Sequence, residues 1–146
     1  LLRNECAYVL ATSCWETAHT MKPVEEAYWV PNAAEWRKKH LRYYPWIGRG
    51  FVQLTWEANY KHAADELGVA LDQRPELALD PGIACEIAVT GMREGWFTGK
   101  KLSDYITLSK SDFRGARRII NGLDKASSIA DLAKLYDHDL KQEGYD

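Results

Sequence analysis

The sequence has no apolar run approaching the ~20 residues that a membrane-crossing helix requires, so no membrane segment is expected. It has no excess of one charge. A formal net charge of −2 excludes nucleic-acid binding through a bulk basic surface. Cysteine is scarce and odd in number, with Cys6, Cys14 and Cys85 spread along the chain. That is no disulfide framework; Cys6 and Cys14 read as small apolar helix residues, and a reducing compartment is favoured. The four histidines, His19, His40, His62 and His138, show no HExxH spacing, and no CxxC occurs, so no metal site is expected. A G-x-S-x-G element and a glycine-rich phosphate loop are both missing. No basic region followed by an apolar core marks a signal peptide. The chain begins at Leu1 rather than Met, which leaves room for a short native segment before it. Repeats and low-complexity stretches are absent.

What is present is a chain of 146 residues, one domain by length, with 46% hydrophobic and 27% charged residues. Six Trp and eight Tyr are many for this length. Large aromatic side chains serve first as core, and the same flat faces suit a ligand such as a sugar.

The elements read as helices with at most a trace of sheet. Leu2, Cys6, Val9, Leu10, Ser13 and Thr17 share one helical stripe and predict a helix from Leu1 to Thr20, closed by Pro23. Asn32 with Glu35 resembles a capping box opening a helix through His40. Tyr43 to Gly50 reads as loop and Phe51 to Leu54 as a short extended piece. Thr55 is placed as the cap of a helix to Leu67, closed by Gly68. Val69 to Leu79 reads as loop. Asp80-Pro81 opens a helix to Trp96 that stops near Gly99. Asp112 opens another through Ile120, ended by Gly122, and Ser128 with Asp131 begins the last, to Gln142.

Carboxylates stand among aromatic residues in "WETAHTMKPVEEAYW" (residues 15–29). At 100° per residue Glu16 lies beside Val9, at the border of the apolar stripe. Burial disfavours a charged carboxylate, which suits Glu16 to donate a proton. Glu26, beyond the helix, suits a base, and Glu25 competes with it. Glycosidic cleavage uses two such groups, one protonated and one ionised. A continuous helix would separate Glu16 and Glu26 by ~15 Å along its axis. The break at Pro23 permits the roughly 6.5–9.5 Å of an inverting pair. Tyr28 and Trp29 beside Glu26 are candidate faces for a sugar.

Two further segments, "GRGFVQLTWEANY" (residues 48–60) and "ARRIING" (residues 116–122), follow in order. With the first segment they resemble glycoside hydrolase family 19, whose members include chitinases and phage endolysins of a lysozyme-like α-helical fold. The likeness spans nearly the whole chain and is greatest to short phage or prophage lysins. It implies inverting hydrolysis of a β-1,4 bond to an N-acetylated amino sugar, without a cofactor. Glu16 then matches the general acid, with Trp15 where the family usually has His. Glu26 matches the carboxylate that activates water, and Thr55 the hydroxyl that helps hold it. Gln53, Asn59 and Asn121 match sugar-contacting positions. The chain departs from plant members after the last motif, where Asp124 and Lys125 follow and no Arg occurs beyond Arg118. Support for Glu16 is therefore expected from Arg49 or Arg118.

Local alternatives stand beside these roles. Gly48 and Gly50 suit a turn. Arg49 suits a surface charge or a brace on a carboxylate. Asn121 suits a helix terminus, and Arg117 and Arg118 suit the negative end of a helix dipole.

The expectation is a single mainly α, lysozyme-like catalytic domain with at most a small β element. It acts as a monomer on peptidoglycan as an endolysin-type muramidase, or alternatively on chitin. A non-catalytic carbohydrate-binding homologue is the rival. The phage-type likeness implies accumulation in the cytoplasm of a bacterial host, with action on the wall after release.

Overall fold

A computed structural model describes residues 1–146. Helix α1 spans Arg3–Glu16, and Glu5 accepts the Leu2 N–H through its carboxylate at 2.9 Å. The helix stops four residues before the expected Thr20, and Pro23 is not what stops it. Ala18 and His19 turn left-handed, with φ of 52° and 66°. His19 N–H donates back to Cys14 O at 2.7 Å, and the Thr17 hydroxyl donates to Ser13 O at 2.7 Å. Left-handed residues end helices in this way by satisfying the last carbonyls. The consequence is that Glu16 is the last residue of α1, at the rim of the core.

Strand β1 (Val24–Glu25) pairs antiparallel with β2 (Arg49–Gly50), Val24 opposite Gly50 and Glu25 opposite Arg49. Phe51 to Leu54 is a turn rather than an extended piece. Gly50 and Gln53 both have positive φ, 98° and 60°, which reverses the chain. Leu54 then pairs back on Arg49 through two backbone hydrogen bonds.

Helix α2 (Ala33–His40) falls where expected, but Asn32 is left-handed and makes no side-chain cap. Helix α3 (Glu57–Leu67) starts two residues beyond Thr55 and closes on left-handed Gly68. The Thr55 hydroxyl donates to Gln53 O at 2.8 Å, so Thr55 is not the cap. Helix α4 (Pro81–Glu94) opens as the Asp80-Pro81 signal requires, with Asp80 Oδ2 accepting from Ile83 N–H at 3.0 Å, and ends earlier than Trp96, at left-handed Gly95. Two short 3-10 turns, Pro75–Leu79 and Leu102–Asp104, occupy segments read as loop or left unassigned. The helix expected from Asp112 to Ile120 is a 3-10 turn, Gly115–Ile119, entered by an Asp112 carboxylate that accepts Gly115 N–H at 2.9 Å. Helix α5 (Ala126–Gln142) begins two residues before Ser128, after left-handed Lys125.

The core has two parts. Helix α5 lies along α1, where Ala7, Ala11, Ala130 and Ala133 allow close approach around Tyr8, Ile129 and Ile119. A second cluster joins Leu54, Tyr60, Ala63, Leu71 and Ile87 beneath α3 and α4. The mainly α expectation is borne out, with one two-stranded sheet as the small β element. All three cysteines carry free thiols. No helix is long and apolar enough to cross a membrane.

Burial, the largest cause in each case, pushes the phenols of Tyr8 and Tyr60 from 10.0 up to about 12. The folded chain holds these protons more tightly than the unfolded one. Their contribution to stability is therefore complete below pH 10.0 and is lost as pH rises toward about 12. Denaturation midpoints should fall through that window together with the appearance of tyrosinate absorbance. A midpoint unchanged across it would refute the linkage.

Candidate active site

Glu26 follows β1 directly and is held at both carboxylate oxygens. Oε1 accepts the Gly48 N–H at 2.9 Å, and Oε2 accepts the Tyr43 hydroxyl at 2.5 Å. The backbone is tied as well, Glu26 N–H to Gly48 O at 2.7 Å and Glu26 O to Arg37 Nε at 2.7 Å. Burial and the contact with Glu26 push the Tyr43 phenol up to about 12, so near neutrality it is a donor.

Gly48 is the point on which the site converges. A Cβ there would lie 2.7 Å from Gln53 Oε1, 3.2 Å from Thr55 Oγ1 and 3.3 Å from Glu26 Oε1. Only glycine leaves three polar oxygens room to share one small space. The Gln53 amide is oriented because Nε2 donates to Val24 O at 3.0 Å and Gly50 O at 3.3 Å. Asn59 Nδ2 donates to Thr55 O at 2.8 Å and fixes the first turn of α3 beside it.

Glu25 is not a solvated neighbour. It lies between two buried arginines, Arg49 at 3.0 Å and Arg37 at 3.5 Å. Arg49 also donates to Pro45 O at 3.0 Å and Tyr60 Oη at 3.1 Å, and Tyr60 donates to Ile47 O at 2.6 Å. This cluster pins the 45–49 loop that presents Gly48 to Glu26. Arg49 is therefore a brace, as one of its sequence alternatives held, but on Glu25 rather than on Glu16. Glu25→Gln should lower stability by about 1–3 kcal/mol, because it leaves buried guanidinium charge uncompensated. Chemical denaturation measures this, and a stability equal to wild type would mean the pairing contributes nothing.

Glu16 meets the site from the end of α1. Its side chain is 22% exposed, and Oε1 accepts from Arg117 Nη1 at 2.8 Å. Oε2 makes no protein hydrogen bond. Arg117 is itself 4% exposed and donates through Nε to Asp124 O at 2.9 Å. The supporting arginine is thus Arg117, and the expectation of Arg118 or Arg49 is corrected. Successive residues of a 3-10 turn point about 120° apart, so one of two adjacent arginines faces α1 and the other faces solvent. Arg118 is the exposed one. The setting of Glu16 is also more polar than the apolar border read from the sequence.

Glu16, Arg117, Asn121, Gln53, Thr55 and Asn59 line one cleft of about 290 Å³, whose apolar walls include Trp56 and Phe97. Glu16 ends α1 and Arg117 and Asn121 lie in and just beyond the Gly115–Ile119 turn, while Gln53 and Thr55 lead into α3 and Asn59 lies in its first turn. An apolar recess of about 300 Å³ between α1 and α4 contains none of these groups. Tyr28 and Trp29 do not line the cleft. They form an exposed edge-to-face pair at 5.2 Å, 47% and 71% accessible. Trp56, which stacks at a tilt on Tyr43 at 4.8 Å and sits under Arg42, is with Phe97 an aromatic face at the cleft. Tyr43, Trp56 and Arg117 were not singled out for these positions by sequence. The aromatic cluster "YYPW" and the motif "ARRIING" contained the signal without saying which member faces inward. His19 takes a local contact, its Nδ1 3.3 Å from Cys14 Sγ.

Helices with one small antiparallel pair, matched to a solved structure, place the chain in the lysozyme-like, mainly α fold class. The particular likeness is to chitinase C. A crystal structure of a chitinase C mutant matches with a TM-score of 0.64 and 22% identity, over 95% of this chain and 73% of that one. A bacterial family 19 chitinase structure also matches, at 22% identity over 90% of this chain and 74% of that one, with a TM-score of 0.43. At such identities the likeness defines the fold. No protein-family model matches the chain, and no curated protein does.

Proposed function

We propose that the chain is an inverting, endo-acting glycoside hydrolase of amino-sugar polymers. The observation that carries this is the convergence of Glu26, Thr55 and Gln53 oxygens around Gly48, two of which, Gln53 and Thr55, also line the cleft that holds Glu16, while Glu26 itself does not line it. The chitinase fold likeness supports it. Glu16 is the acid. Arg117 occupies Oε1, so the free Oε2 carries the proton delivered to the leaving oxygen. Glu26 is the base, oriented by hydrogen bonds from Gly48 N–H and Tyr43. The Thr55 hydroxyl spends its proton on Gln53 O and so presents lone pairs. A water beside Gly48 can then give one proton to Glu26 while its other O–H hydrogen-bonds to Thr55, so that the water oxygen's lone pair is aimed at the anomeric carbon. Attack from the face opposite the leaving group inverts the anomeric centre. Gln53, Asn59 and Asn121 supply polar contacts, and Trp56 supplies a face for a sugar ring.

The preferred substrate in this proposal is peptidoglycan, cleaved at the MurNAc–GlcNAc linkage, and the alternative is chitin. A monomeric lysin that accumulates in a bacterial host and acts on the wall after release fits the peptidoglycan form. Reducing ends released from purified cell walls and from chitin oligomers test both. Release from chitin alone would remove the muramidase form. Binding of oligosaccharide without any release would leave a carbohydrate-binding homologue.

Thr55→Ala should slow turnover more than it weakens binding, since its role is in the transition state. Because Thr55 does not cap α3, the stability cost should stay below about 1 kcal/mol. Thr55→Ser should restore the rate, and a Ser variant as slow as the Ala variant would refute the water-holding role.

A further inference from the structure

Beyond the cleft, a second recess of about 360 Å³ is lined by His62, Glu66, Arg93, Glu94, Trp96 and Lys101. It continues the cleft along two elements. Asn59 of the cleft, His62 and Glu66 stand at positions i, i+3 and i+7 of α3, which is one helix face. Trp96 in the recess is followed by Phe97 in the cleft. Gly91 seats both rings. A Cβ there would lie 2.5 Å from Phe97 Cε2 and 3.3 Å from Trp96 Cε3. His62 meets Trp96 edge-on at 5.1 Å.

The charge pattern separates this recess from a simple extension of a sugar groove. Two cations and two anions share it, yet none of the four enters any of the chain's ion pairs. A neutral N-acetylated glycan carries no charge to pair with them. A short peptide bearing free carboxylates and an amine matches both signs, with Arg93 and Lys101 for carboxylates and Glu66 and Glu94 for an ammonium. The reach is right as well. Asn59 to Glu66 spans ~10 Å along α3, and three extended residues cover about the same distance.

We infer that this recess binds the charged peptide appended to an amino-sugar chain, so that the enzyme prefers peptide-bearing glycan over bare glycan. This rests on the glycosidase reading of the cleft. The test compares kcat/KM on soluble peptidoglycan strands with kcat/KM on the same strands after an amidase has removed their peptides. The wild type should favour the peptide-bearing strands by about tenfold, the size of two or so exposed charge contacts. In the Arg93→Gln/Lys101→Gln variant that ratio should fall toward one, and raising the salt should erode it in the wild type. Both side chains are exposed, and circular dichroism on the variant checks that it is folded. A wild-type ratio near one, or an unchanged ratio in the variant, overturns the inference while leaving the glycosidase intact. No reducing ends from either strand, or from chitin oligomers, overturns the glycosidase reading and this inference with it.

Discussion

Glu16→Gln is expected to lower turnover by about 10²–10⁴-fold, the usual contribution of one general acid. An amide has no proton to give at Oε2, where the wild-type carboxyl faces the cleft without a protein partner. The substitution also touches stability. Arg117 is 4% exposed, and its acceptor on residue 16 becomes an amide oxygen, which still takes one hydrogen bond. A cost of about 1–3 kcal/mol follows from leaving that guanidinium less well compensated. Activity must therefore be referred to the folded fraction, measured by circular dichroism on the same sample. Wild-type turnover per folded molecule would end the assignment of Glu16 as the acid. An inactive protein with an intact fold would separate chemistry from folding.

Glu26→Gln is expected to produce a loss of the same order, about 10²–10⁴-fold, for the opposite reason. The amide keeps an acceptor for Gly48 N–H but cannot take a proton from water. Because the partners of Glu26 are a backbone N–H and a phenol, no buried cation is stranded, and stability should change less than in Glu16→Gln. Azide, a nucleophile that needs no base, should restore part of the turnover. The product of the wild type should first appear with inverted configuration, seen by NMR of the new reducing end before mutarotation. A β-anomer as first product would refute inversion. A fully active Glu26→Gln beside an inactive but folded Glu25→Gln would transfer the base role to Glu25. The structure makes Glu25 a partner of Arg49 and Arg37, so its substitution should register in stability before it registers in rate.

Local chemistry in the sequence determined the parts of this protein whose cause lies within a few residues. Asp80-Pro81 opens α4 because the aspartate accepts a nearby N–H and proline tolerates the first helical position. Gly68 closes α3 because glycine enters the left-handed region without cost. The mainly α class was legible for the same reason, but the core face of α1 was not: Leu2, Cys6 and Leu10 of the expected stripe are only half-buried, whereas Ala7, Tyr8, Ala11 and Thr12 are fully buried. The candidate residue set was legible too, since "GRGFVQLTWEANY" and the carboxylate segment name most of the groups that line the cleft.

Tertiary structure decided which of two like neighbours takes which part. Glu16 and Arg117 are 101 residues apart, and only the packing of the Gly115–Ile119 turn near the end of α1 selects Arg117 over Arg118. Glu25 and Arg49 are 24 residues apart, and the two-residue sheet that pairs them turns Glu25 into a buried-arginine brace while its neighbour Glu26 faces Gly48. Trp56 lines the cleft and packs on Tyr43, whereas Trp29 pairs with Tyr28 on the exposed surface. In each case the two candidates have equal side-chain chemistry and adjacent or similar local settings. Their difference is one of burial and partner, and both are set by residues distant in the chain.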